Sequence, residues 1–366
     1  MRVANQYFRT IWVDDENLPD VHIIDQRFLP HQFKVEIIST YKQMAIAIKE
    51  MHVRGAGLIG VSGAFGVYLA YRDALMSNQT ADFVQKAISE ILSSRPTAVN
   101  LKWAIDIVCS RVAGDRILFE EKAQIALDTA KQLADSDAES CWLIGENGLP
   151  LIEAISRNKK GDVVNILTHC NAGWLAFTDY GSALSPIYLA HRKGIRVHVW
   201  VDETRPRNQG AALTAWELLN EGVPHTLISD NTGGHLMQNG MVDLVITGAD
   251  RIAANGDTAN KIGTYLKALA AHDNGIPFYV AAPSSTFDFS LDSGMGKIPI
   301  EERAANEVLY VNGLHNGQIA DVLICPPHTP AANYGFDITP ARLITGIITE
   351  KGIASPNCNA NEKLLH

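Results

Sequence analysis

From about Asn158 onward the chain repeats one grammar, a short apolar run, a polar turn, and then a segment of helix length and helix composition. The runs are VVNIL (163–167), RVHVWV (196–201), HTLI (225–228), DLVITG (243–248), PFYVAA (277–282) and DVLICP (321–326). Segments 182–193, 209–222 and 260–273 lie between them and read as helices. Uninterrupted apolar runs are what strands covered on both faces require, and strands that alternate with helices pair in parallel. The pattern predicts a Rossmann-like, doubly wound α/β domain.

The earlier part of the chain follows other rules. Up to about Ser39, the segments YFRTIWV, VHIIDQRF and FKVEII are separated by polar residues and prolines, which predicts a small antiparallel sheet. From Tyr41 to about Arg157 the period is helical. Leu101, Ala104, Ile105 and Val108 fall at i, i+3, i+4 and i+7, and Ala123, Leu127, Ala130 and Leu133 repeat the stripe. A helical bundle is expected. Asn158-Lys159-Lys160-Gly161 marks the boundary, giving an N-terminal β-sheet-plus-helical domain over 1–158 and an α/β domain over 159–366, with the last dozen residues a loose tail.

Charge and cysteine usage exclude several function classes. The net charge is −9, with Lys and Arg dispersed, so the basic footprint that nucleic acid demands is missing. A small anion remains possible, because two or three converging cations suffice. No stretch approaches the ~18 apolar residues of a membrane span. The segment MRVANQYFRTIWVDDE has early acids and no apolar signal core, so the cytoplasm is expected. Five cysteines (Cys109, Cys141, Cys170, Cys325, Cys358) without a Cys-x-x-Cys pair predict neither a disulfide framework nor a zinc site. No metal and no cofactor is implied.

Open α/β sheets bind ligands at the carboxyl ends of their strands. Run 163–167 leads into Thr168-His169-Cys170-Asn171-Ala172-Gly173. Run 243–248 leads into Ala249-Asp250-Arg251, then Asn255-Gly256-Asp257 and Asn260-Lys261-Ile262-Gly263. Run 196–201 leads into Glu203-Thr204-Arg205-Pro206 and Gln209-Gly210. A thiol, a carboxylate and several amide or cationic groups thus share one rim. On type alone a free cysteine is usually an apolar filler, but a polar strand-end loop favours a functional Cys170. Asp250 reads equally as a helix N-cap or as a functional carboxylate. His169 reads as structural, since no second His or carboxylate lies at ligand spacing. Gly55-Ala56-Gly57-Leu58-Ile59-Gly60 fits a dinucleotide fingerprint but follows a helix-like segment, not a strand, so it is taken as a decoy. Its glycines either admit close helix packing or offer N–H groups to a phosphate beside Arg54.

These residues resemble the methylthioribose-1-phosphate isomerase family, which shares its fold with regulatory subunits of the exchange factor for translation initiation factor 2. The resemblance spans roughly 41–352 and rests on THCNAG (168–173), DETRPRNQGAALTAWEL (202–218), SDNTGG (229–234), GADRIAANGDTANKIGTY (248–265) and IPFYVAAPSSTFD (276–288). It implies an aldose–ketose isomerase that makes 5-methylthioribulose 1-phosphate in methionine salvage, with Cys170 and Asp250 as the catalytic pair. It further implies substrate contacts from Arg54, Gly55, Ala56, Arg95, Gln209, Asn260 and Lys261, and a homodimer. The chain departs from the family pattern at Gly57, where R-G-A-P is usual. It departs again at Ala212 in QGAALTA and in DYGSAL (179–184). These departures leave 5-deoxyribose 1-phosphate open as substrate. A non-catalytic initiation-factor-2B-like subunit is the reading from another class. A ribose 1,5-bisphosphate isomerase would need a second basic cluster, which the sequence does not supply.

Overall fold

The computed structural model describes residues 1–4, 6–15, 17–95, 99–114 and 117–356. It divides into two compact units, the first comprising Met1–Phe28, Gln32–Cys141 and Trp174–Gly181, the second Leu29–His31, Trp142–Gly173 and Ser182–His366.

The first unit opens with a short hairpin, β1 (Arg2–Val3) and β2 (Gln6–Tyr7). Next comes a three-stranded antiparallel sheet of β3 (Ile11–Val13), β4 (Val21–Ile24) and β5 (Val35–Ile38). Its register pairs Ile11 with Ile23 and Val21 with Ile38, so all four face the core. Helix α1 (Tyr41–Lys49) starts at a capping box in which Thr40 and Gln43 satisfy each other's backbone N–H. Helices α2 (Ala56–Met76), α3 (Ala81–Ser94), α4 (Val99–Val112) and α5 (Phe119–Asn158) complete the bundle. The α4 stripe Leu101, Ala104, Ile105 and Val108 is fully buried, as the spacing predicts.

Helix α2 is apolar all round and is the centre of this core. Leu58, Phe65, Tyr68 and Leu69 are shielded from water, each worth about 1.5–3 kcal/mol of transfer free energy. Its glycines, of which Gly60 belongs to the G-x-G-x-x-G motif, are packing positions. A Cβ on Gly60 would sit 3.0 Å from the Asn100 carbonyl oxygen, one on Gly63 2.5 Å from Leu101, and one on Gly66 3.0 Å from Ile91. The glycines let α3 and α4 approach, and helix α1, not a strand, precedes the motif.

The 40-residue α5 ends at Asn158, and the division between the units falls within it, between Cys141 and Trp142. The second unit is built on β6 (Val164–Thr168), β7 (Val197–Asp202), β8 (His225–Ile228) and β9 (Leu244–Thr247). After β9 come β10 (Arg251–Ala253), β11 (Thr258–Lys261), β12 (Phe278–Ala281) and β13 (Phe287–Asp288). The chain continues with β14 (Tyr310–His315), β15 (Gln318–Leu323), β16 (Phe336–Thr339), β17 (Gly346–Thr349) and β18 (Gly352–Ala354). Seven of these form one sheet in the order β18-β17-β12-β9-β6-β7-β8, all parallel except the edge strand β18.

Helices α6 (Ser185–Arg192) and α7 (Ala215–Asn220) pack with the end of α5 on one face, through Ile144, Ile152, Ile187 and Leu218. Helices α8 (Thr232–Gln238) and α9 (Thr264–Asp273) cover the other, through Leu236, Met237, Ala268 and Ala271. The change of face follows from handedness. From β6 the chain steps outward to β7 and β8, then returns across β6 to β9. Right-handed crossovers running in opposite directions place their helices on opposite faces.

Five of the six predicted apolar runs are strands of this sheet. The sixth, DVLICP, is not. It forms the end of β15, paired antiparallel with β14 in a hairpin where Val322 and Leu323 are exposed. The sheet is instead extended by β17 and β18. Segment 260–273 also differs at its start, since Asn260 and Lys261 lie in β11, within a four-stranded sheet β13-β10-β11-β16. Cys109, Cys141, Cys170 and Cys325 are in no disulfide among the described residues. Cys358 and nearly all of the expected tail lie outside the described residues.

Candidate active site

The sheet reverses direction between β6 and β9, and this switch point is where an open α/β sheet presents its ligand crevice. The two strands pair directly, with Ile166 opposite Leu244 and Leu167 opposite Val245. Cys170 follows the end of β6, and Asp250 follows the end of β9. Their loops touch: a Cβ on Gly248 would lie 2.5 Å from the Ala172 side chain, so that position must be small. Asp250 is half-buried and donates its backbone N–H to the Ala259 carbonyl, at 2.9 Å, where the main sheet hands over to the smaller one.

Cys170 is buried and has φ +63°, a left-handed conformation that is costly for a residue with a Cβ, about 1–2 kcal/mol. Its neighbours hold it there. Its N–H donates to Thr204 Oγ1 (2.8 Å), and its carbonyl accepts from Thr214 Oγ1 (2.7 Å). Thr204, also left-handed at φ +64°, has its N–H bound to Asp230 (2.7 Å). Asn171 donates to Glu217 (2.8 Å), a fully buried carboxylate that also accepts from Tyr188 (2.7 Å). Burial, and then the Glu217 charge, push the Tyr188 phenol well above its ordinary pKa, so it remains a donor.

The loop after β7 supplies the third wall. Gln209 is buried, and its side-chain oxygen has no hydrogen-bond partner among the described residues, a vacancy that a ligand hydroxyl would satisfy. It precedes a π-helical turn, Gly210–Thr214, a geometry frequent at functional sites. Gly210 is obligatory here, because its Cβ would fall 1.7 Å from the Asp202 carbonyl oxygen. Asn260 is buried and donates to Thr264 Oγ1 (3.0 Å). Lys261 donates to the Gly335 carbonyl (3.1 Å) with its ammonium over the Phe336 ring.

The structure thus brings Cys170, Asp250, Gln209, Asn260 and Lys261 into one unit, on the loops and strand that follow β6, β7 and β9. Arg54, Gly55, Ala56 and Arg95 belong to the other unit. Gly55 is the N-cap of α2 with φ +96°, Ala56 is that helix's first residue, half-buried Arg54 precedes them, and Arg95 ends α3. Gly57 is explained by packing: a Cβ there would meet the Phe177 ring and Asp137, each at 2.4 Å.

Some rim groups serve structure instead. Arg205 donates to the Val308 carbonyl (2.7 Å), and Arg207 pairs with Glu307 (2.9 Å), which also binds Arg303 and Asn333. Asp257 ties Gly294 and Ala341 through their N–H groups. Burial pushes its pKa up, but these bonds and the one from Asn255 outweigh that and lower it. His169 differs from the sequence expectation, since carboxylates do surround it. Its Nδ1 lies 2.8 Å from Asp202, and Asp230 is close enough for the trio to gather a cation. Lys267 already brings an ammonium to Asp202, at 3.2 Å. In the other such trio, Asp25, Glu36 and His52, Arg27 makes two bonds to Asp25. Asp202, Thr214 and Glu217 are not singled out by the sequence reading, although all lie in the 202–218 motif, and Thr204 enters it only as one residue of the rim.

The doubly wound sheet and its thiol–carboxylate switch point define the class: residues 52–356 match the Initiation factor 2 subunit family, and the chain belongs to it, in the branch of the methylthioribose-1-phosphate isomerases. Methylthioribose-1-phosphate isomerase of Desulfatibacillum aliphaticivorans is 51% identical over 99% of this chain and 97% of its own length. The crystal structure of 5-methylthioribose 1-phosphate isomerase from Pyrococcus horikoshii OT3 aligns with a TM-score of 0.82 at 40% identity, covering 98% of this chain and 96% of that one. The translation initiation factor eIF-2B subunit delta from A. fulgidus aligns with a TM-score of 0.78 at 36% identity, covering 98% and 99%. No helix among the described residues is long and apolar enough to cross a membrane.

Proposed function

We propose that the chain isomerises 5-methylthioribose 1-phosphate to 5-methylthioribulose 1-phosphate, with Cys170 and Asp250 handling the protons. The observation that carries this reading is the packing of the Cys170 and Asp250 loops against each other at the switch point of the sheet.

The chemistry explains the choice of groups. A sugar phosphorylated at its anomeric oxygen cannot expose an aldehyde without losing phosphate, so the C2 proton is not acidified in the ordinary way. Ring opening needs an acid at the ring oxygen as the C1–O4 bond breaks, and Asp250 supplies it. Removal of the C2 proton then gives a cis-phosphoenol, and delivery of that proton to C1, as the 2-hydroxyl returns its proton to the Asp250 carboxylate, completes the ketose. Cys170 performs this transfer. A thiol acts as a base only where its surroundings favour the thiolate. Substrate phosphate and hydroxyl groups go to Arg54 with the backbone N–H groups of Gly55 and Ala56, and to Arg95, Gln209, Asn260 and Lys261. The protein works in the cytoplasm as a homodimer, which light scattering on the purified protein checks directly.

Turnover tests the reading. Cys170→Ala and Asp250→Asn are each expected to lower kcat at least ~10³-fold with the folded structure intact by circular dichroism. Near-wild-type turnover in either removes that residue from the mechanism. Comparing kcat/KM for 5-methylthioribose 1-phosphate and 5-deoxyribose 1-phosphate separates methionine salvage from a broader deoxypentose activity. No turnover of either favours a regulatory subunit, the reading suggested by the likeness to an eIF-2B subunit.

A further inference from the structure

His169 is used by nothing in the mechanism above, yet it is the residue before Cys170 and its side chain is wholly buried. Nδ1 lies 2.8 Å from Asp202 Oδ2, and Nε2 lies 2.8 Å from the Ile262 carbonyl oxygen. Both partners are acceptors. A neutral imidazole has one N–H, so one of these contacts would set a lone pair against a lone pair. Moving the proton to Asp202 does not relieve this, because the same oxygen faces the Lys267 ammonium at 3.2 Å. Only an imidazolium donates both ways. Among the described residues no other histidine has acceptors at hydrogen-bond distance from both ring nitrogens.

We propose that His169 is a doubly protonated clamp that fixes the Cys170 loop to the strand end carrying Asn260 and Lys261 and favours the Cys170 thiolate. Asp202 comes from the end of β7, and Ile262 directly follows Lys261, so one ring joins three of the segments that build the rim. The strand side is rigid, since β11 is paired on both edges, to β10 and to β16. The Cys170 loop is therefore the part whose position the clamp sets. The left-handed backbone at Cys170 is the kind of conformation that persists only when its surroundings over-determine it.

The charges around the ring agree with this. Asp202, Asp230 and Asp337 supply three carboxylates, and Lys267 one ammonium. Asp230 is engaged by the Thr204 and Arg205 N–H groups, and Asp337 by those of Gly263 and Tyr265. Burial raises the Asp337 pKa, and His169 and Lys267 act against that rise. Three carboxylates against one ammonium leave a net −2 with a neutral ring and −1 with an imidazolium, so the imidazolium opposes ionisation of the neighbouring thiol less.

This inference rests on Cys170 being the catalytic thiol, and its first two tests are read without turnover. The first measurement is the ¹⁵N spectrum of the histidine-labelled wild-type protein at pH 7.5. One ring protonated at both nitrogens and absent from His169→Gln is expected. A spectrum with only singly protonated rings overturns the proposal, and it needs no variant. The second is the pH profile of Cys170 alkylation by iodoacetamide, with Cys170→Ser as the blank. In His169→Gln the midpoint is expected to rise by about one pH unit, the size expected for the loss of one neighbouring cation. An unchanged midpoint removes the charge role. In turnover, kcat should fall ~10²-fold with KM within ~3-fold of wild type; a rise in KM at constant kcat would make His169 a binding residue and overturn the clamp. Full activity of Cys170→Ala would sink the catalytic reading while leaving the spectrum and the alkylation profile to judge the clamp.

Discussion

Glu307 offers a quantitative test of how the segment beyond β13 is held to the loop after β7. Burial alone would raise its pKa, but hydrogen bonds from Arg303 and Arg207 and the Arg303 charge outweigh it and bring the value from an ordinary 4.5 to about 2. A carboxyl depressed by that much stabilises the fold by about 3 kcal/mol wherever it is ionised in both states. The side chain is only 15% exposed, so solvent screening trims little from that figure. The sign follows from proton uptake. Above the unfolded value near 4.5 the stabilisation is complete, and it is lost as pH falls through about 2, where the folded protein also takes up the proton. Glu307→Gln keeps the shape and removes the charge, leaving Arg303 with Glu301 as its remaining acid (2.8 Å). Urea denaturation followed by circular dichroism at pH 7, 5 and 3 should show the variant about 3 kcal/mol less stable at pH 7, with the gap shrinking below pH 4.5. A gap below ~0.5 kcal/mol at pH 7, or one unchanged at pH 3, would refute the reasoning.

Two further predictions concern the two units separately. Asp137 accepts the Thr178 N–H (2.6 Å), and burial raises its carboxyl to about 6, so the folded state keeps a proton that the unfolded state releases between about pH 4 and 6. Stability should fall as pH rises through that window. Asp137→Asn should be more stable than wild type by about 2 kcal/mol at pH 7.5, after allowing for partial exposure, and no more stable near pH 4, as read by urea midpoints. Gly210→Ala places a methyl against the Asp202 backbone, which no side-chain rotation relieves. A loss of at least ~2 kcal/mol and of at least ~10²-fold in kcat is expected, and a variant with wild-type denaturation and turnover would contradict the close approach.

The strands of the large sheet were legible because both their faces are covered, which makes each an uninterrupted apolar run such as VVNIL or PFYVAA. The same signal misled at DVLICP, since an apolar run carries no label saying which sheet it joins. Strand β17 was missed because GIIT at 346–349 is short and follows a long excursion after β12, so only tertiary pairing with Tyr279–Ala281 identifies it. In the candidate site, strand-end position put Cys170 and Asp250 on one rim with several other polar groups, and the resemblance supplied their pairing. The surroundings of His169 were invisible, because Asp202 and Ile262 lie 33 and 93 residues away in sequence. Spacing rules see helical turns and strand alternation, not contacts made by folding across such distances.

The reversal of the sheet also sets a schedule for synthesis. Cys170 leaves the ribosome about 80 residues before Asp250, an interval of several seconds at ~5–20 residues per second. During it β6, β7 and β8 have all emerged and can pair outward, but the inner edge of β6 has no neighbour until β9 arrives. The nascent chain therefore carries a bare strand edge ending in a thiol whose partner does not yet exist. Such an edge is a template for pairing with another chain. A slow stretch of translation between β8 and β9 should lower the yield of folded protein, whereas the same delay placed after β12 should cost much less.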